Sequence, residues 1–430
     1  MGWNSYDYYN TMVTEEQVRA NADYMALNLK EYGWEYIVVD IQWSDPDAGK
    51  LNPNVQYIPF SHFCIDEWSR QIPAPNRFPS STGGKGFKPL ADYIHSLGLK
   101  FGIHIMRGIP RICAHTHTKI LGTDITADMI ANPFSISRWN GDMYGVDASK
   151  KGAAEYYDSL FALYAEWGVD YVKVDDICNT NMYPQNPYSA EKEIELIAHA
   201  IEYCGRPMVL SLSPGPAVVE KAWHLETFAN MWRITDDFWD TWPLLKAMFE
   251  RCEVWQKHVG GGNWPDCDML PLGVLAKGFG KERMTGLSPD EQRTMMTLWC
   301  MFRSPLMIGT DLPQLDSFTK SLLTNREVLW LQRFSSGAYQ VMRDERQCVW
   351  ASYSGGCPAK GMQINIALFN LSDEAEEVAV KLSAVSGVNP SAIYAVRDLW
   401  KKEDLFPLNG DALIGMKLPP HGCVLLQLKG

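Results

Sequence analysis

The sequence predicts an α/β protein in which a (β/α)8 TIM barrel over residues 1–325 is followed by an antiparallel β-sandwich over residues 326–430. A chain of 430 residues is longer than one compact domain usually needs. Its first part repeats a short apolar run followed by a longer amphipathic stretch, which is typical of a parallel sheet wrapped by helices. After Asn325 this repeat stops, and short alternating segments separated by turn residues follow.

The predicted elements of the barrel alternate along the chain. After the opening "MGW", six apolar runs are predicted as strands: Tyr36–Asp40, Lys100–Ile105, Tyr171–Asp175, Met208–Ser213, Met231–Thr235 and Ser304–Ile308. The amphipathic stretches between them are predicted as helices: Thr14–Tyr32, Leu90–Leu97, Ala153–Trp167, Ala190–Tyr203 and Pro289–Cys300. A strand and helix repeated about seven or eight times closes most naturally into a (β/α)8 barrel.

The C-terminal region has a different pattern from about Val328 onward. Segments such as "QCVWASYSG" and "CVLLQLKG" are short and rich in strand-forming residues, and turn residues separate them. No long helical pattern is expected there, so the sequence predicts the strands of a β-sandwich.

Composition and charge exclude several classes of protein. Hydrophobic residues make up 46% of the chain and charged residues 21%, as in an ordinary globular protein. No apolar run approaches the roughly 18 residues that a membrane span needs, so no membrane partner is expected. A net charge of -12 without a basic stripe argues against nucleic acid. The 16 tryptophans suit stacking on sugars, and a homo-oligomer is compatible with the sequence.

The cysteines and histidines do not indicate a bound metal. The ten cysteines form no C-x-x-C pair, so we interpret them mostly as free, buried thiols. His115 and His117 form an H-x-H pair, but no partner histidine follows at the spacing that a barrel hydrolase needs. "GGKG" and "GGG" lack the spacing of a phosphate-binding loop and are predicted as turns. We therefore expect no metal and no cofactor. The start "MGWNSYDYYN" carries no secretion signal, which predicts a cytoplasmic location.

Charged residues cluster where the predicted strands of the barrel end. The carboxyl ends of barrel strands form the active-site face, because the loops that follow them meet there. The charged residues in question are Asp40, Lys173, Asp175, Arg233, Asp236, Asp237, Asp266 and Asp268. Their positions predict a charged cleft at this face.

The segment "YVKVDD" has a lysine two residues before an aspartate. Lys173 and Asp175 face the same way on a strand, and an ammonium group nearby keeps a carboxylate ionised, as a nucleophile requires. A buried structural ion pair is the alternative reading. Because "RITDD" brings a second carboxylate to the same face, glycoside hydrolysis with a paired nucleophile and proton donor becomes the favoured chemistry. The expected partner is then an oligosaccharide or glycoside substrate.

Several motifs together resemble one enzyme family. "MGWNSY", "VVDIQW", "LKFGIHI", "GVDYVKVDD", "WRITDDFWD" and "NWPDCDML" occur in the order and approximate spacing of the glycoside hydrolase family 27 α-galactosidases. The resemblance covers nearly the whole chain, and it implies a (β/α)8 barrel, a C-terminal β-sandwich and a retaining double-displacement mechanism. It places the nucleophile at Asp175 and the acid/base at Asp237, four residues after Arg233. Asp236 and Asp240 are the competing acid/base assignments.

The resemblance also implies the residues that hold the sugar. Asp40 matches the first acid of the family's D-D-x-W motif, and Lys173 matches the lysine before the nucleophile. Arg233 matches the site arginine and Asp268 the acid of D-M-L. Two further pocket positions depart from the family: Tyr6 stands where a tryptophan is common and His104 where a tyrosine is common.

The second acid of D-D-x-W is replaced by Ile41 in this chain. In the family that acid belongs to the part of the pocket that receives the O4/O6 side of the sugar. An isoleucine there removes hydrogen-bond acceptors, which costs a buried hydroxymethyl group on the order of 1–3 kcal/mol. β-L-Arabinopyranose matches α-galactose except that it lacks C6. Ile41 therefore predicts a preference for β-L-arabinopyranosides over α-D-galactosides.

The residue that faces the 2-position of the sugar leaves alternatives open. Galactosidases of the family tend to have "C-E-W" there, whereas this chain has "SLSPGPA" with Ser213 in that place. A serine leaves room for an N-acetyl group, so an α-N-acetylgalactosaminidase stays an alternative, although Ile41 disfavours any sugar with C6. A non-catalytic carbohydrate-binding protein is a further alternative, which would not need both Asp175 and Asp237.

Overall fold

A computed structural model describes the chain in five stretches separated by short gaps: residues 1–49, 62–137, 139–180, 185–355 and 363–430. The described residues divide into two compact units, and each unit draws on several segments of the chain. The first unit contains residues 1–237, 268–284 and 307–315. The second contains residues 238–267, 285–306 and 316–430.

The strands expected for a barrel are present. They are β1 (Gly2–Asn4), β2 (Tyr36–Val39), β3 (Lys100–Met106), β4 (Tyr171–Asp175), β5 (Val209–Leu212), β6 (Met231–Arg233), β7 (Trp264–Asp266) and β8 (Met307–Ile308). All except β7 lie in the first unit, where they form one parallel sheet in the order β6-β5-β4-β3-β2-β1-β8. The predicted fold class is confirmed. Each of these strands is followed by helical or loop segments that return the chain to the amino end of the sheet, so that the next strand runs parallel to the one before.

Within the described stretches, eight α-helices belong to the first unit. They are α1 (Tyr6–Tyr9), α2 (Glu15–Asn28), α3 (Lys88–Ser96), α4 (Arg111–His115), α5 (Ala127–Ile130), α6 (Ala153–Trp167), α7 (Glu191–Tyr203) and α8 (Ala222–Phe228). Short 3-10 turns accompany them at Lys30–Tyr32, Pro79–Ser81, Val219–Lys221, Lys277–Phe279 and Leu312–Gln314. The predicted helix Thr14–Tyr32 is divided, since α2 ends at Asn28 and a 3-10 turn leads to Gly33, whose φ is 97°.

The long connection after β3 carries a small antiparallel sheet of its own. Its strands are Ile109–Pro110, Met143–Val146 and Ala131–Ile136, with Met143–Val146 in the centre. This sheet was not predicted from the sequence. A second hairpin joins Val274–Leu275 to Arg283–Met284. The glycines of "GGKG" and "GGG" adopt positive φ values, which confirms that both segments are turns.

In the part of the second unit that the structure describes, four α-helices accompany the C-terminal sheets. The helices are α9 (Trp242–Trp255), α10 (Pro289–Phe302), α11 (Ser317–Leu323) and α12 (Arg326–Phe334), with 3-10 turns at Gln256–His258 and Leu382–Ala384. The expectation of alternating segments from Val328 onward is wrong for α12. This helix forms because the Asn325 side chain accepts hydrogen bonds from the backbone N–H groups of Glu327 and Val328, which caps its first turn.

The described residues of the C-terminal region form two antiparallel sheets. The strands are β9 (Ser336–Arg343), β10 (Gln347–Ser354), β11 (Gln363–Asn370), β12 (Glu376–Lys381), β13 (Ile393–Asp398), β14 (Glu403–Asp404), β15 (Leu408–Asn409), β16 (Leu413–Leu418) and β17 (Cys423–Lys429). The larger sheet has the order β9-β10-β11-β17-β13-β14, with β15 beside β13, and the smaller one pairs β12 with β16. Buried side chains from both sheets share one apolar core, as in a β-sandwich.

Two further expectations concern thiols and membranes. No disulfide joins the nine cysteines within the described stretches, and six of them are buried. Cys357 lies outside those stretches. None of the helices in the described part of the chain has the length and hydropathy needed to cross a bilayer.

Candidate active site

The predicted site residues of the first unit lie at the carboxyl ends of its parallel strands. Asp40 follows β2 directly, and Asp175 is the last residue of β4. His104 of β3 lies opposite Lys173 of β4 in the parallel register. Because adjacent parallel strands bring equivalent positions together, the side chains of these residues converge at one face of the sheet.

Asp175 lies in a largely enclosed environment with two hydrogen-bond donors. His104 Nε2 is 3.0 Å from Asp175 Oδ2, and the backbone N–H of Asp176 donates to Asp175 Oδ1 at 2.8 Å. Burial by itself raises the pKa of Asp175, but the His104 hydrogen bond and the Lys173 ammonium outweigh it, so the pKa lies below its ordinary value. Asp175 is therefore an ionised carboxylate whose orientation is fixed from both oxygens.

Asp40 and Lys173 form a buried ion pair next to that carboxylate. Lys173 Nζ is 3.2 Å from Asp40 Oδ2, and Asn4 Nδ2 donates to the same oxygen at 2.7 Å. Burial raises the pKa of Asp40, but the Lys173 ammonium lowers it by more, so the pKa lies well below its ordinary value. Lys173 also lies 6.0 Å from the centre of the Tyr6 ring. The pair presents a fixed ammonium and a fixed carboxylate to the site.

Arg233 connects two acidic residues from separate segments. Its Nη2 lies 3.1 Å from Asp237 Oδ1 and 3.0 Å from Asp268 Oδ2. Arg233 and Asp268 are buried, whereas 60% of the Asp237 side chain is exposed. A single guanidinium thus holds a buried acid and an open acid in one cluster.

The two competing acid/base positions have different surroundings. The exposed Asp236 accepts a hydrogen bond at 2.9 Å from the backbone N–H of Asp237. Asp240 is buried within the second unit, where its Oδ2 accepts a hydrogen bond from the backbone N–H of Gly286.

Ile41 belongs to a small apolar cluster. Its side chain is 4% exposed and packs with the thioethers of Met106 and Met143, and Tyr6 and Trp139 cover the cluster in part. Met143 comes from the small antiparallel sheet after β3 rather than from a barrel strand. Position 41, where α-galactosidases of the family have the second acid, is therefore surrounded by apolar side chains in this chain.

Ser213 is fully buried where the chain leaves β5. Its backbone N–H donates to Val174 O at 2.9 Å, and its carbonyl accepts from Ile177 N at 3.0 Å. The Ser213 hydroxyl oxygen has no hydrogen-bond partner among the described residues. The structure thus fixes the backbone of Ser213 firmly beside the strand that carries Asp175.

A buried ionic network behind the site was missed from the sequence. Arg107 Nη2 is 3.0 Å from Asp176 Oδ2, and its Nη1 is 3.1 Å from Glu193 Oε2. All three side chains are at least nine-tenths buried. Burial raises the pKa of Asp176 to about 7, which the Arg107 guanidinium only partly offsets. Because Asp176 has a φ of 56°, the network holds the turn whose N–H bonds to Asp175.

Two more residues near the site were also missed. Asn4 supplies the amide that bonds Asp40, and its place just after "MGW" at a strand end was the available signal. Asp7 is buried in α1, and its Oδ2 has no hydrogen-bond partner within the described stretches. Burial raises the pKa of Asp7 well above its ordinary value, and the nearby Asp268 raises it further. An acid inside the aromatic run "YDYY" was the signal for it.

The two histidines of the H-x-H segment have separate partners. His115 Nε2 lies 3.3 Å from the Tyr144 hydroxyl, and His117 Nδ1 lies 2.9 Å from Asp128 Oδ1. Each imidazole thus has a local role in the connection after β3.

Comparison with known proteins gives the family context of this site. Residues 142–333 match the family described as "Alpha galactosidase A", and residues 349–428 match "Alpha galactosidase C-terminal beta sandwich domain". The "Alpha-galactosidase 2" of Arabidopsis thaliana is 25% identical over 431 aligned residues, which cover 100% of this chain and 88% of that protein.

Two solved bacterial structures are more similar in sequence. A β-L-arabinopyranosidase of glycoside hydrolase family 27 from Geobacillus stearothermophilus is 52% identical, with a TM-score of 0.93 and coverage of 100% of this chain and 96% of that one. A variant of the same enzyme was solved in complex with arabinose. A Bacillus halodurans protein provisionally described as an α-N-acetylgalactosaminidase is 48% identical, with a TM-score of 0.88 and the same coverage.

Proposed function

Because the chain belongs to glycoside hydrolase family 27, we propose that it is a retaining exo-glycosidase that prefers terminal β-L-arabinopyranosides over α-D-galactosides. Membership makes the protein a glycoside hydrolase, and the proposal concerns its mechanism and its sugar. The observation that carries the choice of sugar is Ile41, which is buried among Met106 and Met143 where the resembling galactosidases have an acid.

In the proposed first step, Asp175 attacks the anomeric carbon while Asp237 donates a proton to the departing glycosidic oxygen. The C–O bond to the aglycone breaks as the bond to Asp175 forms, which leaves a covalent glycosyl-enzyme. The low pKa of Asp175 supports this role, because its carboxylate is ionised before the sugar binds. The open position of Asp237 supports its role as the proton donor, since the leaving group must reach it.

In the second step, Asp237 takes a proton from water, and that water attacks the anomeric carbon and releases Asp175. Two inversions retain the anomeric configuration. Asp40, Lys173 and Asp268 are proposed to bind sugar hydroxyl groups, because they combine buried carboxylates and an ammonium at the same face. Proton NMR of the first product formed tests the mechanism: the β-L-arabinopyranose anomer is expected first, and the α anomer would exclude retention.

The preference for arabinopyranose follows from the absence of a carboxylate at position 41. A hydroxymethyl group at C5 would find no carboxylate at this position and would meet a packed apolar surface. A comparison of kcat/KM on 4-nitrophenyl β-L-arabinopyranoside and α-D-galactopyranoside tests the proposal. We expect the arabinopyranoside to be favoured at least about tenfold, which corresponds to about 1.4 kcal/mol. A tenfold preference for the galactoside would overturn it.

An α-N-acetylgalactosaminidase is the second candidate. Ser213 favours it, because a small side chain stands where the resembling galactosidases carry a glutamate, and a relative at 48% identity has that provisional description. Ile41 opposes it, since N-acetylgalactosamine also carries C6. Adding 4-nitrophenyl N-acetyl-α-D-galactosaminide to the same series separates the candidates, because only the second predicts that this substrate is turned over fastest.

A further inference from the structure

We propose that Met143, which lies in the loop after β3, determines sugar specificity together with Ile41. The cluster of Ile41, Met106 and Met143 then excludes a substituent at C5 of the sugar. This inference rests on the proposed preference for arabinopyranose and extends it to a residue outside the barrel strands. The three side chains are between 4% and 7% exposed and pack on one another.

The cluster borders the catalytic end of the sheet. Met106 is the last residue of β3 and lies opposite Asp175 in the parallel register. Ile41 follows Asp40, whose carboxylate bonds Lys173. A small cleft lined by Ile41, His104, Met106 and Met143 has a volume of about 20 Å³. The cleft is small, since a single buried water already needs about 10–15 Å³.

The loop holds Met143 in place through its backbone. Met143 pairs with Pro110 in the small antiparallel sheet. In the turn before it, the backbone N–H of Arg111 donates to Asp142 O at 2.9 Å, and Arg111 Nη1 donates to Gly141 O at 2.7 Å. The backbone at Met143 is therefore held in the small sheet, and its side chain packs in the cluster.

The cluster also determines what an acid at position 41 would experience. An Ile41→Asp side chain would lie against the thioethers of Met106 and Met143, which offer it no strong hydrogen-bond donor. The cost of burying an unpaired carboxylate is large. The single substitution is therefore expected to give a poor galactosidase, and removing the bulk of Met143 is expected to improve it.

The test compares kcat/KM for the two 4-nitrophenyl glycosides in Met143→Ala, Met143→Leu and wild-type protein. One methylene in an apolar pocket changes specificity about 10–200-fold, so Met143→Ala should raise the galactoside-to-arabinopyranoside ratio at least about tenfold. Met143→Leu keeps the bulk and should retain the wild-type ratio. Met129→Ala is the matched control, because Met129 is 52% exposed in the same loop and should leave both constants unchanged.

The outcomes separate this inference from the proposed function. A wild-type preference for the galactoside overturns the proposed function itself. A wild-type preference for arabinopyranoside with an unchanged ratio in folded Met143→Ala overturns only the role of Met143. If Met143→Ala does not fold, Met143→Val is the milder truncation, and an unchanged ratio in it also contradicts the proposal.

In a double-mutant cycle, Ile41→Asp should gain more galactosidase activity in the Met143→Ala background than alone, and purely additive effects count against coupling.

Discussion

Asp175 and Asp237 are both acids at the same face of the sheet, yet their surroundings differ sharply. The Asp175 side chain is 14% exposed and accepts hydrogen bonds at both oxygens, whereas Asp237 is 60% exposed and contacts one guanidinium. A nucleophile must be ionised and correctly oriented, and a proton donor must reach a leaving group at the mouth of the site. The surroundings of each acid, rather than the residue type, therefore distinguish the two proposed roles.

Removing the nucleophile should have the largest effect. Asp175→Ala is expected to lower kcat on an activated aryl arabinopyranoside by at least about 10⁴-fold, because no other ionised carboxylate is held in that position. Thermal melting should show that the variant is folded. Near-normal turnover by the folded variant would remove Asp175 from the mechanism.

Removing the proton donor should have an effect that depends on the leaving group. Asp237→Asn is expected to lower kcat/KM about 10²–10⁴-fold on substrates with poor leaving groups, and much less on a nitrophenyl glycoside, which needs little protonation. Asp236→Asn is the matched control, because Asp236 is the exposed neighbour. If the leaving-group dependence appeared in Asp236→Asn instead, the acid/base assignment would move to Asp236.

Weakening the contacts of Asp175 should shift the pH profile of activity. The ordinary pKa of an aspartate is 3.8, and the His104 hydrogen bond helps to hold the pKa of Asp175 below that value. The acid limb of kcat/KM should therefore lie below about pH 4. His104→Phe removes the bond, so this limb should move to higher pH. His199→Phe, at an exposed position, is the control, and an unshifted limb in His104→Phe would show that the bond does not hold Asp175 ionised.

The smallest effect concerns the buried network behind Asp175. Since the pKa of Asp176 is raised to about 7, this group favours folding while protonated, and that contribution is lost as pH rises from about 4 to 7. The shift corresponds to at most about 4 kcal/mol in the free energy of unfolding. Asp176→Asn should therefore become more stable relative to wild type between pH 5 and pH 8 in urea titrations. The exposed Asp92→Asn is the control, and a pH-independent difference for Asp176→Asn would contradict the raised pKa.

Local signals made much of the fold predictable. The helix Ala153–Trp167 and the strand Tyr171–Asp175 match the prediction at both ends. Gly168, at a φ of 85°, ends the helix, and the apolar run stops at an acid. Charged residues at strand ends also predicted that Asp40 and Lys173 lie at one end of the sheet, and their side chains form an ion pair there.

The parts that could not be predicted depend on contacts between distant segments. No periodicity marks the packing of Met143 on Ile41 or the pairing of Arg107 with Asp176 and Glu193. The helix Arg326–Phe334 was missed because its apolar residues were interpreted as the start of the alternating segments. In each case the determining interaction is a tertiary contact or a side-chain cap rather than a pattern in neighbouring residues.

The most direct test of the contrast between the two acids is to trap the covalent intermediate. The protein would be incubated with a fluorinated β-L-arabinopyranosyl fluoride, which slows the second step more than the first, and then digested and analysed by mass spectrometry. The sugar adduct is expected on the peptide that contains Asp175, with none on the peptide that contains Asp237. An adduct on Asp237, or turnover of the reagent with no adduct and inversion of configuration, would contradict the division of roles between the two aspartates.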